Sequence, residues 1–204
     1  MKGKTQHPSR LFAPALLWGS LWGLVEATFG YLLHALGLFG AAGFVMFPVG
    51  YGAMSRAGRE TRNVLAVVVT SWVAASVKLV DLFVPGANVP AVINPAKAIL
   101  LQGLAVAMLR MTLGTVRKPS FGSLALASFG WRLAFVGLGA IGAVGLAGGF
   151  RFLLVDSLAN AALIFVCLLI GPALALERDP SPILRRPLVP ALAYVAATAA
   201  QFFL

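Results

Sequence analysis

Apolar residues in this chain come in long unbroken runs, not in the alternation of a half-buried strand or the narrow stripe of a soluble helix. Seven runs can be marked, over residues 11–36, 39–54, 63–84, 91–113, 121–147, 152–176 and 188–204. A helix needs about 20 apolar residues to cross about 30 Å of hydrocarbon, with a lower limit near 17. Runs one, three, four, five and six pass that test, and runs two and seven are marginal. Helix is the element predicted for each run, because backbone facing lipid must satisfy its own hydrogen bonds. The ten-residue alternation of an outer-membrane barrel is absent.

Composition strengthens this reading. Hydrophobic residues make up 60% of the 204 positions and charged residues 11%, with a mean hydropathy of +0.92. A soluble domain is about 45–50% apolar and about 25% charged. The expected fold class is therefore all-α: a polytopic membrane helix bundle of six or seven transmembrane helices. A basic tail over residues 1–10 would precede a single transmembrane domain over residues 11–204. Water-soluble enzymes and nucleic-acid readers are excluded. The single cysteine, Cys167, rules out an internal disulfide framework. No cleavable signal peptide is expected, because the first apolar run continues well beyond a signal's apolar core.

Charge sets the expected orientation. Lys2, Lys4 and Arg10 precede run one. Arg56, Arg59 and Arg62 follow run two, Arg110, Arg117 and Lys118 follow run four, and Arg178, Arg185 and Arg186 follow run six. The alternate connections carry only Arg151. The positive-inside rule then places the N-terminus and all four basic clusters in the cytosol of a prokaryotic cell, with the chain in its cytoplasmic membrane. The net charge of +10 thus reads as topology, with attraction to anionic membrane lipid as a secondary effect.

Ionisable groups at bilayer depth cost about 2.5–3.5 kcal/mol each on insertion scales and need a reason. At about 1.5 Å rise per residue, Glu26, His34, Lys78, Asp81, Asn94, Lys97, Asp156 and Asn160 fall in the outer half, with Gln102 and Arg132 nearer the middle. The inner half is nearly free of such groups. Lys78 and Asp81 are spaced i,i+3, and Asp156 and Asn160 i,i+4, so each pair shares a helix face. Two readings stand for most of them. Lys78 with Asp81 reads either as an intrahelical ion pair or as part of a site. Lys97 reads as a snorkelling side chain or a ligand contact, and Asp156 as a structural partner of Arg132 or Arg151. His34 suits an interfacial position. Asn94 is placed to cap run four, whose Pro95 would sit in the first turn. Glu26 has no basic partner on its own helix and calls for a partner, a proton or a ligand. Together the eight outer residues are the expected substrate-binding set, around a pocket opening outward, and their mixed charges suit a polar or zwitterionic solute.

Small residues add a second expectation. Ala15, Gly19 and Gly23 form a flat strip at four-residue spacing. The strip suits either internal packing or contact with a helix of a partner subunit. Glycines and Pro48 in run two suit a bent, short helix beside a cavity. No Walker A, His-Glu-x-x-His, Gly-x-Ser-x-Gly or Cys/His cluster occurs, so no catalytic residue, metal or cofactor is assigned and an enzyme is not expected.

The chain resembles the substrate-binding S component of energy-coupling-factor transporters. The likeness lies in a length near 200 residues, an N-in bundle, the Ala15/Gly19 strip on the first helix, and the second span Gly43-Phe-Val-Met-Phe-Pro-Val-Gly-Tyr-Gly. It implies a small-solute uptake component with no ATPase of its own. Such a component binds a vitamin or similar metabolite from outside, docks its first helix on a transmembrane coupling subunit, and relies on separate ATPases. Alternatives are a non-transport accessory or assembly subunit and an intramembrane lipid-modifying enzyme that uses a carboxylate.

Overall fold

The computed structural model describes residues 9–36, 39–140, 149–170 and 188–201. These are helical nearly throughout, with no strand among the described residues. The helices are α1 (Ser9–Ala35), α2 (Phe39–Thr61), α3 (Val64–Leu79), α4 (Val89–Leu113), α5 (Phe121–Phe135), α6 (Asp156–Ile170) and α7 (Leu188–Ala200). A 3₁₀ turn, Val80–Phe83, extends α3. π-helical turns extend α5 through Val136–Ala140 and lead into α6 over Arg151–Val155. The first eight residues of the basic tail, residues 141–147 of run five and residues 171–176 of run six lie outside the described residues.

Five helical stretches are long and apolar enough to cross a membrane: Leu11–Phe29, Val64–Phe83, Val89–Leu113, Phe121–Gly139 and Arg151–Ile170. They are compatible with a multi-pass membrane protein, as is a surface that exposes Trp72, Phe83, Met108, Met111 and Leu126. The two marginal runs differ from these five for separate reasons. α7 is only 13 residues long. α2 is 23 residues long but carries Arg56, Arg59 and Glu60 near its end.

α2 also corrects the expectation of a short, bent helix over 39–54. It continues through Pro48 to Thr61. Its neighbours explain why it needs less apolar surface: it packs against α1, α3, α4 and α6 and buries Met46, Phe47, Tyr51 and Met54. The other helices surround it in the order α1, α3, α4, α5, α6, and α7 lies outside on α1 and the edge of α3.

Local chemistry sets the boundaries. Asn63 caps α3 by accepting from the Leu65 N–H at 2.9 Å, and Ser120 caps α5 by accepting from Ser123 at 3.3 Å. α4 stops at Gly114, whose φ of 81° suits only glycine, and the Gly114 N–H donates to the Arg110 carbonyl at 2.8 Å. α4 begins at Val89, with Pro90 in its first turn. Asn94 is thus no cap, and Pro95 lies inside the helix. Pro90 is the proline that suits a missing donor, so it sets the start.

The small-residue strip of α1 is filled from within. Ala15 is fully buried. A Cβ on Gly19 would lie 2.6 Å from the Thr70 carbonyl oxygen, and one on Gly23 would lie 2.8 Å from Val77. α3 of the same chain therefore occupies Gly19 and Gly23, and Ala15 packs with Ala57 of α2 and Ala66 of α3, which corrects the partner-helix assignment: backbones this close leave no space for another helix.

Candidate functional site

Five of the eight expected solute-binding residues divide between two centres, and α7 was not expected at either. The first centre lies between α1, α3 and α7. The Lys78 ammonium donates to Asp81 at 2.6 Å, the i,i+3 ion pair its spacing allows. Glu26 on α1 lies within electrostatic reach of Lys78. Glu26 Oε2 is buried and accepts no hydrogen bond among the described residues. Gln201, just past the end of α7, sets its side-chain amide against the Asp81 carboxylate, and the amide orientation that satisfies both groups is the one with the nitrogen as donor. One turn below, the hydroxyls of Ser76 and Tyr194 lie 3.2 Å apart.

The second centre joins α5, α6 and α2. Arg132 is 1% exposed and Asn160 fully buried. Arg132 Nη2 donates to the Asn160 side-chain oxygen, and Nη1 to the Ser128 carbonyl at 3.2 Å. Asn160 Nδ2 donates in turn to the Phe44 carbonyl of α2 at 2.6 Å. The guanidinium stacks against Trp131 at 4.4 Å and Phe152 at 5.3 Å. Asp156, one turn before Asn160, attracts it electrostatically. Several polar atoms of this centre are buried without a hydrogen-bond partner among the described residues: Arg132 Nε, Trp131 Nε1, Ser128 Oγ and Ser157 Oγ. Each unmade bond costs about 1–3 kcal/mol, so such a concentration calls for partners that the described residues do not supply.

The other expected residues lie apart. Asn94 and Lys97 are exposed on α4, which agrees with Lys97 as a surface cation. His34 is in the last turn and a half of α1, and its side chain lies outside the described residues. Gln102 is buried on α4 with its Oε1 unpartnered.

Two cavities stand out among the described residues, and none of the eight residues lines either. One, of about 630 Å³, is an apolar groove between α4 and α5, running from Leu101 to Ala134. The other, of about 350 Å³, opens at the end where the basic connections gather, between α1, α2 and α6 and beneath the α4–α5 connection. Arg110 stands in its wall, only 4% exposed. Arg110 donates to the Tyr51 hydroxyl at 2.8 Å, to Ser55 Oγ at 2.9 Å and to the Arg117 carbonyl at 2.8 Å.

Sequence reasoning counted Arg110 as a loop charge, and the inner half of the bundle was expected to lack buried polar groups. The available signal was its context, Met108-Leu109-Arg110-Met111, an apolar helix end in place of a polar loop. Tyr51 and Ser55, spaced i,i+4 on α2, supply the matching acceptors. Nearby, Trp18 Nε1 donates to Glu60 at 2.9 Å and Arg56 lies over the Trp18 ring at 5.2 Å, clamping α1 to α2. No group of three or more His, Cys, Asp or Glu side chains suited to a metal occurs among the described residues. No protein-family model, curated protein or solved structure matches the chain.

Proposed function

We propose that this chain is a small-solute uptake component of a prokaryotic cytoplasmic membrane, with six long helices, a short seventh and a cytosolic N-terminus. It captures a polar, vitamin-like or metabolite-like solute from the outer side and works with a separate transmembrane coupling subunit and ATPases. The observation that carries this reading is the centre on α5 and α6. A buried guanidinium is held by Asn160 and two aromatic rings, while donors at Arg132 Nε and Trp131 Nε1 have no acceptor among the described residues. Fixed donors in a site shielded from water suit a carboxylate or carbonyl on a bound solute. Glu26 belongs to the separate α1–α3–α7 centre, where its oxygen, unpaired among the described residues, suits an amine or hydroxyl donor.

The resemblance to energy-coupling-factor S components supports the same reading. The docking surface for a coupling subunit must then lie away from Ala15, Gly19 and Gly23, which α2 and α3 cover.

The test is thermal stability of the detergent-purified chain against a panel of vitamins and polar metabolites, followed by titration of any stabilising compound. One compound is expected to raise the midpoint in a saturable way, and Arg132→Gln to weaken it by tenfold to a hundredfold, the range of one charge-assisted hydrogen bond. A ligand that binds Arg132→Gln and Glu26→Gln as it binds the wild type removes these residues from the site. No stabilisation by any compound, with one large partner co-purifying from native membranes, would instead favour an assembly subunit. The apolar α4–α5 groove is the surface that reading would use.

A further inference from the structure

Trp131 belongs to two places at once. Its ring lies against the Arg132 guanidinium at 4.4 Å, in the α5–α6 centre, and it also lines the groove between α4 and α5. The groove, of about 630 Å³, has the size of a small-molecule pocket. It runs from Thr112 and Ser123, beside the α4–α5 connection, to Trp131 and Ala134. Its walls are apolar, with Leu104, Met108 and Leu126 exposed along them. The two hydroxyls at its end are spent locally: Thr112 donates to the Leu109 carbonyl at 2.9 Å and Ser123 to the Ser120 carbonyl at 2.8 Å. Among the described lining residues, the Trp131 indole N–H is then the one buried polar group left without a partner.

That combination selects among occupants. An apolar transmembrane helix from another chain satisfies its own backbone and would leave the indole N–H unpaired. An acyl chain without its head would do the same. A molecule with an acceptor at one end and hydrocarbon along the rest pairs the N–H and covers the apolar walls. Resting on solute capture at Arg132, we propose that the solute is an amphipathic carboxylic acid. Its carboxylate accepts from the Trp131 indole and the Arg132 guanidinium, and its hydrocarbon tail lies in the α4–α5 groove. A charged acceptor makes the stronger hydrogen bond, and each methylene taken out of water adds affinity.

The experiment is native mass spectrometry of the full chain titrated with butanoate, octanoate and dodecanoate. Saturable binding is expected, with dodecanoate more than about tenfold tighter than butanoate. Gly130→Leu tests the groove without touching Arg132. Gly130 is exposed on the groove wall, a Cβ there meets nothing within 4 Å, and a helix interior favours leucine over glycine, so the fold is kept. This variant should bring dodecanoate down to the affinity of butanoate. Gly122→Leu, on the same helix with equal room but outside the groove, should leave all three affinities unchanged. Trp131→Phe keeps a ring, removes the N–H and should weaken all three acids about tenfold. Butanoate binding that depends on Arg132, with no gain from chain length and no effect of Gly130→Leu, overturns the proposal and leaves solute capture standing. Binding of none of the acids overturns it too, and capture falls with it only if the vitamin and metabolite panel also fails. A chain-length gain that survives Gly130→Leu overturns it, as does loss of a dimer in Gly130→Leu with acid binding unchanged, which would give the groove to a second copy.

Discussion

Arg110 and Arg132 are both buried guanidiniums near helix contacts with α2, and they are accommodated in different ways. Arg132 is enclosed. Asn160, the Ser128 carbonyl and two aromatic rings hold it, and Asp156 supplies the nearby negative charge. Arg110 has no carboxylate acceptor among the described residues. It is held by Tyr51, Ser55 and a carbonyl, faces Arg59, and opens onto a cavity lined with further cations. The difference teaches that burial alone does not identify a binding residue. What distinguishes the two is the charge each one faces: Asp156 attracts Arg132, whereas Arg59 repels Arg110.

Removing Arg132 is the largest expected disruption. Arg132→Met leaves the Asn160 oxygen and Asp156 without their cation, and should destabilise the detergent-solubilised chain by about 3 kcal/mol in denaturant or thermal unfolding. Asn160→Leu comes next. It unties α6 from the Phe44 carbonyl and takes one acceptor from Arg132, at a cost of about 2 kcal/mol by the same measurement. The combination Arg132→Met with Asn160→Leu should cost less than the sum of the two, since each single change already strands the other's partner.

Arg110→Gln should cost only about 1 kcal/mol, because the hydrogen bonds lost are offset by relief from Arg59. A loss as large as that of Arg132→Met would erase the contrast between the two centres. Tyr51→Phe removes one acceptor of Arg110 but keeps the ring, whose centroid is 5.5 Å from the guanidinium. About 1 kcal/mol or less is expected. Tyr194→Phe, far from both, tests the background: the Ser76 contact is one neutral hydrogen bond, worth about 0.6 kcal/mol in a membrane bundle.

Much of this fold was legible in the sequence, and the residues show why the rest was not. Runs three and four match α3 with its 3₁₀ extension and α4 to within a few residues, because a long apolar run has one economical structure in lipid. α2 was misjudged because hydropathy measures fitness for lipid, and Met46, Phe47 and Met54 face protein. Residue counts give a position along a helix, but not the rotation of that helix. Glu26, Lys78, Asp81, Asn94, Lys97, Asp156 and Asn160 were all counted toward one layer, yet Asn94 and Lys97 face outward and the others divide between two interfaces. Lys78 with Asp81 was readable because both partners sit on one helix, whereas Arg132 with Asn160, 28 positions apart, required the packing of α5 on α6. Gln201 was invisible for the same reason.

The turn between α2 and α3 has a consequence for how the chain reaches its place. Only Arg62 and Asn63 separate the two helices, with Arg62 at a φ of 53°. Asn63 donates its N–H to the Thr61 hydroxyl at 3.2 Å and accepts from the Leu65 N–H. These bonds are local and need no distant partner to form. α2, which is less apolar than α3, is thus tied by a two-residue turn to a strongly apolar successor, and in a bilayer the two are expected to insert together as one hairpin.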